Sequence, residues 1–162
     1  MSDFAYTNVQ FRSILNGLGF RNRGLNEPNF PISNDESSLD NDRQSVINFQ
    51  DYFGLDVDGI VGPKTRETAK QEMYIIQYEL DLIVRPNPRL HPQNAPFYGP
   101  QTASAVTGFR LRYGFEPDGN ANNDRIAGIL VRQKLDELSP NVRSGNEAKA
   151  AQIAVSMVAK SL

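Results

Sequence analysis

The side chains able to do chemistry are few, and their types narrow what that chemistry could be. The chain has one histidine, His91, and no cysteine. Without a thiol there is no cysteine nucleophile and no disulfide, and a zinc site of the usual Cys/His kind lacks its ligands. A serine–histidine pair would have to use His91. That residue sits in Arg89-Leu90-His91-Pro92, a proline-rich stretch that reads as exposed loop with no chemical role. Carboxylates remain. Two-carboxylate hydrolysis needs a facing pair held a set distance apart, whereas Asp51, Glu67 and Glu72 fall on solvated helix faces or turns. No pair stands out, so the reading is of a protein that is not an enzyme and holds no metal and no cofactor.

The elements that must position any site follow from composition and pattern. The 162 residues are 39% hydrophobic and 22% charged, with a formal net charge of -2. That is the balance of a folded chain, long enough for one ordinary domain or two small ones. No basic run is dense enough to displace counterions from a nucleic acid, which is therefore not expected as a partner. The segment Met1–Thr7 has neither a basic n-region nor an apolar h-region. No stretch approaches the roughly 20 apolar residues that span a bilayer.

An internal repeat organises the rest. Laid over one another at an offset of sixty without a gap, Val46 meets Val106, Phe49 meets Phe109 and Phe53 meets Tyr113. Gly54 then meets Gly114, Leu55 meets Phe115, and Asp58-Gly59 meets Asp118-Gly119. In each copy the apolar residues keep i, i+3, i+7 spacing, one face of a short helix. Asp40 or Asp42, and Thr102 in the second copy, stand where an N-cap would. Gly54 and Gly114 follow the last apolar residue, where a left-handed residue ends a helix without Cβ strain.

Further helices complete each copy. Phe11, Ile14, Leu15 and Leu18 form a stripe for an opening helix, and Ile76, Leu80 and Leu82 form its counterpart. Gly62-Pro63 starts a helix expected to run to about Val84, closing the first copy and opening the second. Ile126 to Leu138 reads as the last helix of the second copy, with Ile126, Ile129, Leu130, Leu135 and Leu138 apolar, broken by Ser139-Pro140. The stretch Glu147 to Leu162 has helical spacing and either packs on the second copy or serves a partner chain. The expected architecture is all-α: two tandem three-helix units, 8–73 and 74–138, then a linker and helix over 139–162. The long connections, Arg21–Asp42 and Arg85–Gly99, are the first places to look for a binding surface.

The run Val46, Phe49-Gln50, Gly54-Leu55, Val57-Asp58-Gly59-Ile60-Val61-Gly62-Pro63 and Thr65 resembles the signature of the peptidoglycan-binding domain family, found in many cell-wall hydrolases. The second copy is similar through Tyr98-Gly99-Pro100-Gln101-Thr102, Val106, Phe109, Gly114-Phe115 and Asp118-Gly119. It departs at Arg110, where the family has Gln, and after Gly119, where Gly-x-x-Thr is missing. The resemblance implies compact three-helix bundles. It also implies structural jobs for Phe49, Gly54, Asp58, Gly59, Gly62, Thr65, Thr102, Phe109, Gly114, Asp118 and Gly119, with Thr65 and Thr102 as caps.

What the resemblance implies for function is a non-catalytic module that binds the glycan-peptide of a bacterial cell wall. Such recognition needs aromatic faces and planar polar groups in a groove; Gln50, Tyr52, Arg66, Phe97, Tyr98 and Arg112 are the candidates. The alternative is a structural or adaptor protein using the same fold for protein contacts, for example in a phage-like or contractile injection particle. With no export signal read in the sequence, the expected place is the cytoplasm or a particle assembled there, with contact to the wall possible. The expected partner is peptidoglycan or another protein, with the C-terminal helix a natural docking element.

Overall fold

The computed structural model describes residues 5–21, 29–90, 96–115 and 124–143. Within them all regular structure is helical: α1 (Asn8–Gly17), a 3-10 turn (Leu39–Asp42), α2 (Arg43–Tyr52), α3 (Pro63–Ile83), α4 (Pro100–Arg112), α5 (Ile129–Leu138) and the single turn α6 (Pro140–Arg143). No described helix is long and apolar enough to cross a membrane. His91, Asp118, Gly119 and the helix expected over 147–162 lie outside the described residues.

Local chemistry sets the helix ends. Thr7 accepts a bond from the Gln10 amide N–H at 3.1 Å, and the Gln10 side chain accepts one from the Thr7 N–H at 3.0 Å. This reciprocal box starts α1. At the far ends of α2 and α4, Gly54 and Gly114 take φ of 70° and 78°. There the Leu55 N–H donates to the Gln50 carbonyl at 2.8 Å and the Phe115 N–H to the Arg110 carbonyl at 2.9 Å. The two helices thus close with the same motif, and the matched glycines do what their spacing predicts.

The expected caps are different. Both α3 and α4 begin on an extended glycine, Gly62 or Gly99, with proline at the first helical position and no side-chain cap. Proline forgoes an amide that would be unpaired there anyway. Thr65 and Thr102 lie inside the first turn instead, where their hydroxyls accept bonds from the side-chain amides of Gln50 at 3.1 Å and Gln77 at 3.2 Å. Asp42 occupies the N-cap position of α2 without capping it. Its carboxylate is taken by Arg12 and Arg21, each through Nε at 2.7 Å. Burial explains both corrections: a side chain enclosed between helices satisfies the buried donor facing it before a helix end that water can reach.

These bonds form a recurring tie between neighbouring helices. Arg12 on α1 holds Asp42 and also donates to the carbonyls of Asp35, Ser37 and Ser38. Gln77 on α3 donates to the Phe97 carbonyl at 3.2 Å and to Thr102. At the sixty-residue offset Ser37 matches Phe97 and Asp42 matches Thr102. The same link is ionic in the first half and neutral in the second.

One hydrophobic cluster runs through both halves. It takes Phe11, Ile14, Leu15 and Leu18 from α1, Val46 and Phe49 from α2, and Met73, Ile76 and Leu80 from α3. Val106 and Phe109 from α4 and Val131 and Leu135 from α5 complete it. The boundary expected between 73 and 74 therefore falls within α3, a single 21-residue helix. Across the joint the Tyr98 ring lies on Gly17, where any Cβ would overlap it. Its hydroxyl donates to the Arg125 carbonyl at 2.5 Å.

The last helix corrects the expected face. α5 begins at Ile129, because Gly128 is extended and the Ala127 N–H donates to the Gly17 carbonyl at 2.7 Å. Ala127, Val131 and Leu135, four apart, face inward, and Ile129, Leu130 and Leu138 are exposed. Leu82 of α3 is exposed too, so only Ile76 and Leu80 of its expected stripe are core.

The ties predict unequal costs. Asp42→Ala strands two buried guanidinium groups and is expected to lower stability by about 3–5 kcal/mol. Gln77→Ala, on the neutral tie, is expected to cost about 1–2 kcal/mol. Urea unfolding of both variants against the parent chain measures the difference.

Candidate functional site

Two clefts open on the described surface. One, of about 580 Å³, lies between the 29–32 loop and α4, lined by Asn29, Ile32, Pro100, Ala103, Ser104, Thr107 and Arg125. Its polar groups are largely occupied: the Thr107 hydroxyl bonds the Ala103 and Asp124 carbonyls, and Arg125 reaches the Phe30 carbonyl. The other, of about 310 Å³, is smaller but richer in chemistry. It is lined by Tyr52 and Phe53 from the end of α2, Glu72 from α3, Arg132, Gln133 and Asp136 from α5, and Arg143 from α6.

The smaller cleft is built around Arg132. Only 4% exposed, it donates from Nε to the Ala127 carbonyl at 3.0 Å and from Nη2 to the Leu18 carbonyl at 3.3 Å. Its guanidinium carbon lies 4.9 Å from the Tyr52 ring centre and 5.4 Å from that of Phe20. Planar guanidinium groups stack well on such rings. Nη1 is 3.9 Å from Glu72 Oε1, beyond hydrogen-bond distance.

Beside it lies an ion network. Arg143 grips Glu72 with two bonds, Nη1 to Oε2 at 2.8 Å and Nη2 to Oε1 at 2.7 Å. Its Nε donates to Asp136 Oδ1 at 2.8 Å. Burial by itself would lower the pKa of Arg143, but the bonds and charge of Glu72 and Asp136 hold it above the usual arginine value. Behind the network Glu79 is fully buried beside Asp136, and no donor among the described residues bonds either of its carboxyl oxygens. Its pKa is pushed up to about 9, chiefly by burial, then by the like charge of Asp136 and by the hydrogen bond that the protonated carboxyl shares with Asp136. It is therefore neutral at pH 7, the form tolerated where no donor is offered.

Of the residues the sequence singles out for ligand contact, the structure brings only Tyr52, 46% exposed, to this cleft. Gln50 is 1% exposed, and its amide is spent on the Asp-Gly loop. Nε2 donates to Asp58 Oδ1, the Ile60 carbonyl and Thr65, and Oε1 accepts from the Asp58 and Gly59 N–H groups. Tyr98 is buried in the core, and Phe97 is half-buried against it. Arg66 is exposed on α3 and lines neither cleft. Arg112 is exposed and donates to the Ile83 carbonyl at 3.2 Å.

The sequence reading misplaces Glu72. It is 2% exposed and fully engaged, not solvated, because α6 folds back to present Arg143 to it. Glu67 and Asp51 are exposed as expected. Arg132, Asp136, Arg143 and Glu79 had no local signal beyond spacing: Glu72 and Glu79 are seven apart on α3, and Arg132 and Asp136 four apart on α5. No group of residues able to hold a metal ion occurs among the described residues.

Residues 10–68 match the family model described as putative peptidoglycan binding domain. No curated protein and no solved structure matches the chain. The matched segment takes in α1, α2, the Gln50-bound loop and the first turn of α3.

Glu79 gives a pH prediction with a definite sign. Its folded pKa of about 9 lies above the 4.5 of an unperturbed glutamate. Between those values the folded chain keeps a proton that the unfolded chain releases, so stability falls as pH rises through that window. Glu79→Gln, which copies the neutral form, is expected to remove this slope. The gain should be up to about 5 kcal/mol at pH 8 and shrink toward zero near pH 4. Unfolding curves across that range measure it.

Proposed function

From the match of residues 10–68 to the family model of a putative peptidoglycan binding domain, we propose that the chain is a non-catalytic module for binding the cell-wall glycan-peptide. On this reading it uses one helical plan twice around the shared helix α3, and the wall fragment sits in the cleft between Tyr52 and α5. The observation that carries the proposal is the cleft's lining: a half-exposed aromatic side chain beside planar, charged groups held rigidly by one another. At about 310 Å³ it is near the lower end of ligand pockets, suited to a fragment of the polymer.

The absence of catalysis is supported by how the carboxylates are used. A general acid must carry a proton and reach the substrate. Glu72 is locked in a two-pronged pair with Arg143, and Asp136 shares that arginine. Glu79 carries a proton at neutral pH but is fully buried.

The chain is expected to pellet with purified, protein-free sacculi and to leave their turbidity unchanged. Tyr52→Ala, which removes the wall of the cleft and the platform under Arg132, should weaken the binding about tenfold. Loss of turbidity would make the protein a hydrolase. Failure of the parent chain to pellet would leave protein–protein contacts as the use of the fold.

A further inference from the structure

Resting on that reading, we infer that the cleft recognises the peptide part of the wall, through an amino-acid end group carrying ammonium and carboxylate on one carbon, and not the sugar strand. The first ground is the state of its aromatic. Sugar recognition by stacking needs an open ring face, and one face of the Tyr52 ring already carries the Arg132 guanidinium, 4.9 Å from its centre. What the cleft offers a ligand is charge.

The second ground is a donor prepared but unused. Arg132 is 4% exposed and fixed through Nε and Nη2, yet Nη1 has no hydrogen-bond acceptor among the described residues. Glu72 Oε1, the acidic atom nearest to it by ion pairing, stands 3.9 Å away and is already bonded by Arg143 at 2.7 Å. A buried guanidinium donor facing a cleft suits an incoming carboxylate, which forms strong charge-assisted bonds there.

Opposite charge is available one turn along the same helix. The Asp136 side chain is 31% exposed and accepts a bond at Oδ1 from Arg143. Side chains four apart on a helix lie about 5–6 Å apart. An ammonium and a carboxylate on one carbon can therefore meet Asp136 and Arg132 together. With Glu79 neutral, the cleft's two carboxylates and two guanidinium groups balance, which favours a ligand that is itself a zwitterion over a simple anion or cation.

The test uses the full chain and three preparations of sacculi: intact, stripped of peptides by an amidase, and intact but with free amines acetylated. Binding to the stripped and the acetylated sacculi is expected to be at least about tenfold weaker than to intact ones. Asp136→Asn should show a similar loss on intact sacculi and no additional loss on acetylated ones. Equal affinity for peptide-free strands, or indifference to acetylation, would overturn the inference while leaving wall binding standing. If intact sacculi are not bound, the functional reading fails and this inference with it. The arms that alter the ligand need no variant, so a misfolded Asp136→Asn would not rescue the proposal.

Discussion

Everything at the cleft depends on where one guanidinium is buried. Arg132 belongs to α5, yet one of its bonds reaches back to the carbonyl closing α1, and its guanidinium carbon lies 5.4 Å and 4.9 Å from the ring centres of Phe20 and Tyr52. Burying an arginine is tolerable only when its donors and charge are answered. Here backbone carbonyls, two aromatic faces and the Glu72 carboxylate share that task. The outcome is a joint whose ionic wall draws Glu72 from α3, Arg132 and Asp136 from α5 and Arg143 from α6.

The same economy explains why the two halves carry different polar groups at matched places. The Arg12–Asp42–Arg21 cluster organises a long loop by binding three of its carbonyls as well as a carboxylate. Gln77 and Thr102 perform the corresponding link with a shorter connection and no charge. At the position of Gln50, which builds the first Asp-Gly loop, the second half has Arg110. Its Nη1 goes to the Ile126 carbonyl instead, and its Nε has no hydrogen-bond partner among the described residues. That divergence accords with a family match that ends at residue 68.

Much of the fold could be read from the chain. The aromatics Phe49 and Phe109 are fully buried, the matched glycines end their helices, and α3 runs through both halves. These features are local, governed by spacing and by backbone conformations that few residues allow. The Thr7-x-x-Gln10 box that starts α1 is legible in the same way. The phase of α5 is not legible in the same way, because Ile129 and Leu130 look like core residues until the Ala127–Gly17 bond fixes the helix's rotation. The cleft was nearly invisible for a deeper reason. Glu72 and Arg143 are 71 positions apart, and no pattern along the chain announces that a single turn, α6, will bring them together. Gln50 and Tyr98 seemed suited to a ligand, but polarity and aromaticity serve a buried loop and a core as readily as a surface.

The central claim is that wall fragments bind at the joint between the halves, and residue-resolved NMR tests it most directly. Titrating the isotope-labelled chain with soluble muropeptides should shift the signals of Tyr52, Gln133, Asp136 and Arg143 together, saturating along one curve. Shifts confined to the cleft of Asn29, Ile32 and Ser104, with the Arg132 surroundings unmoved, would contradict the account.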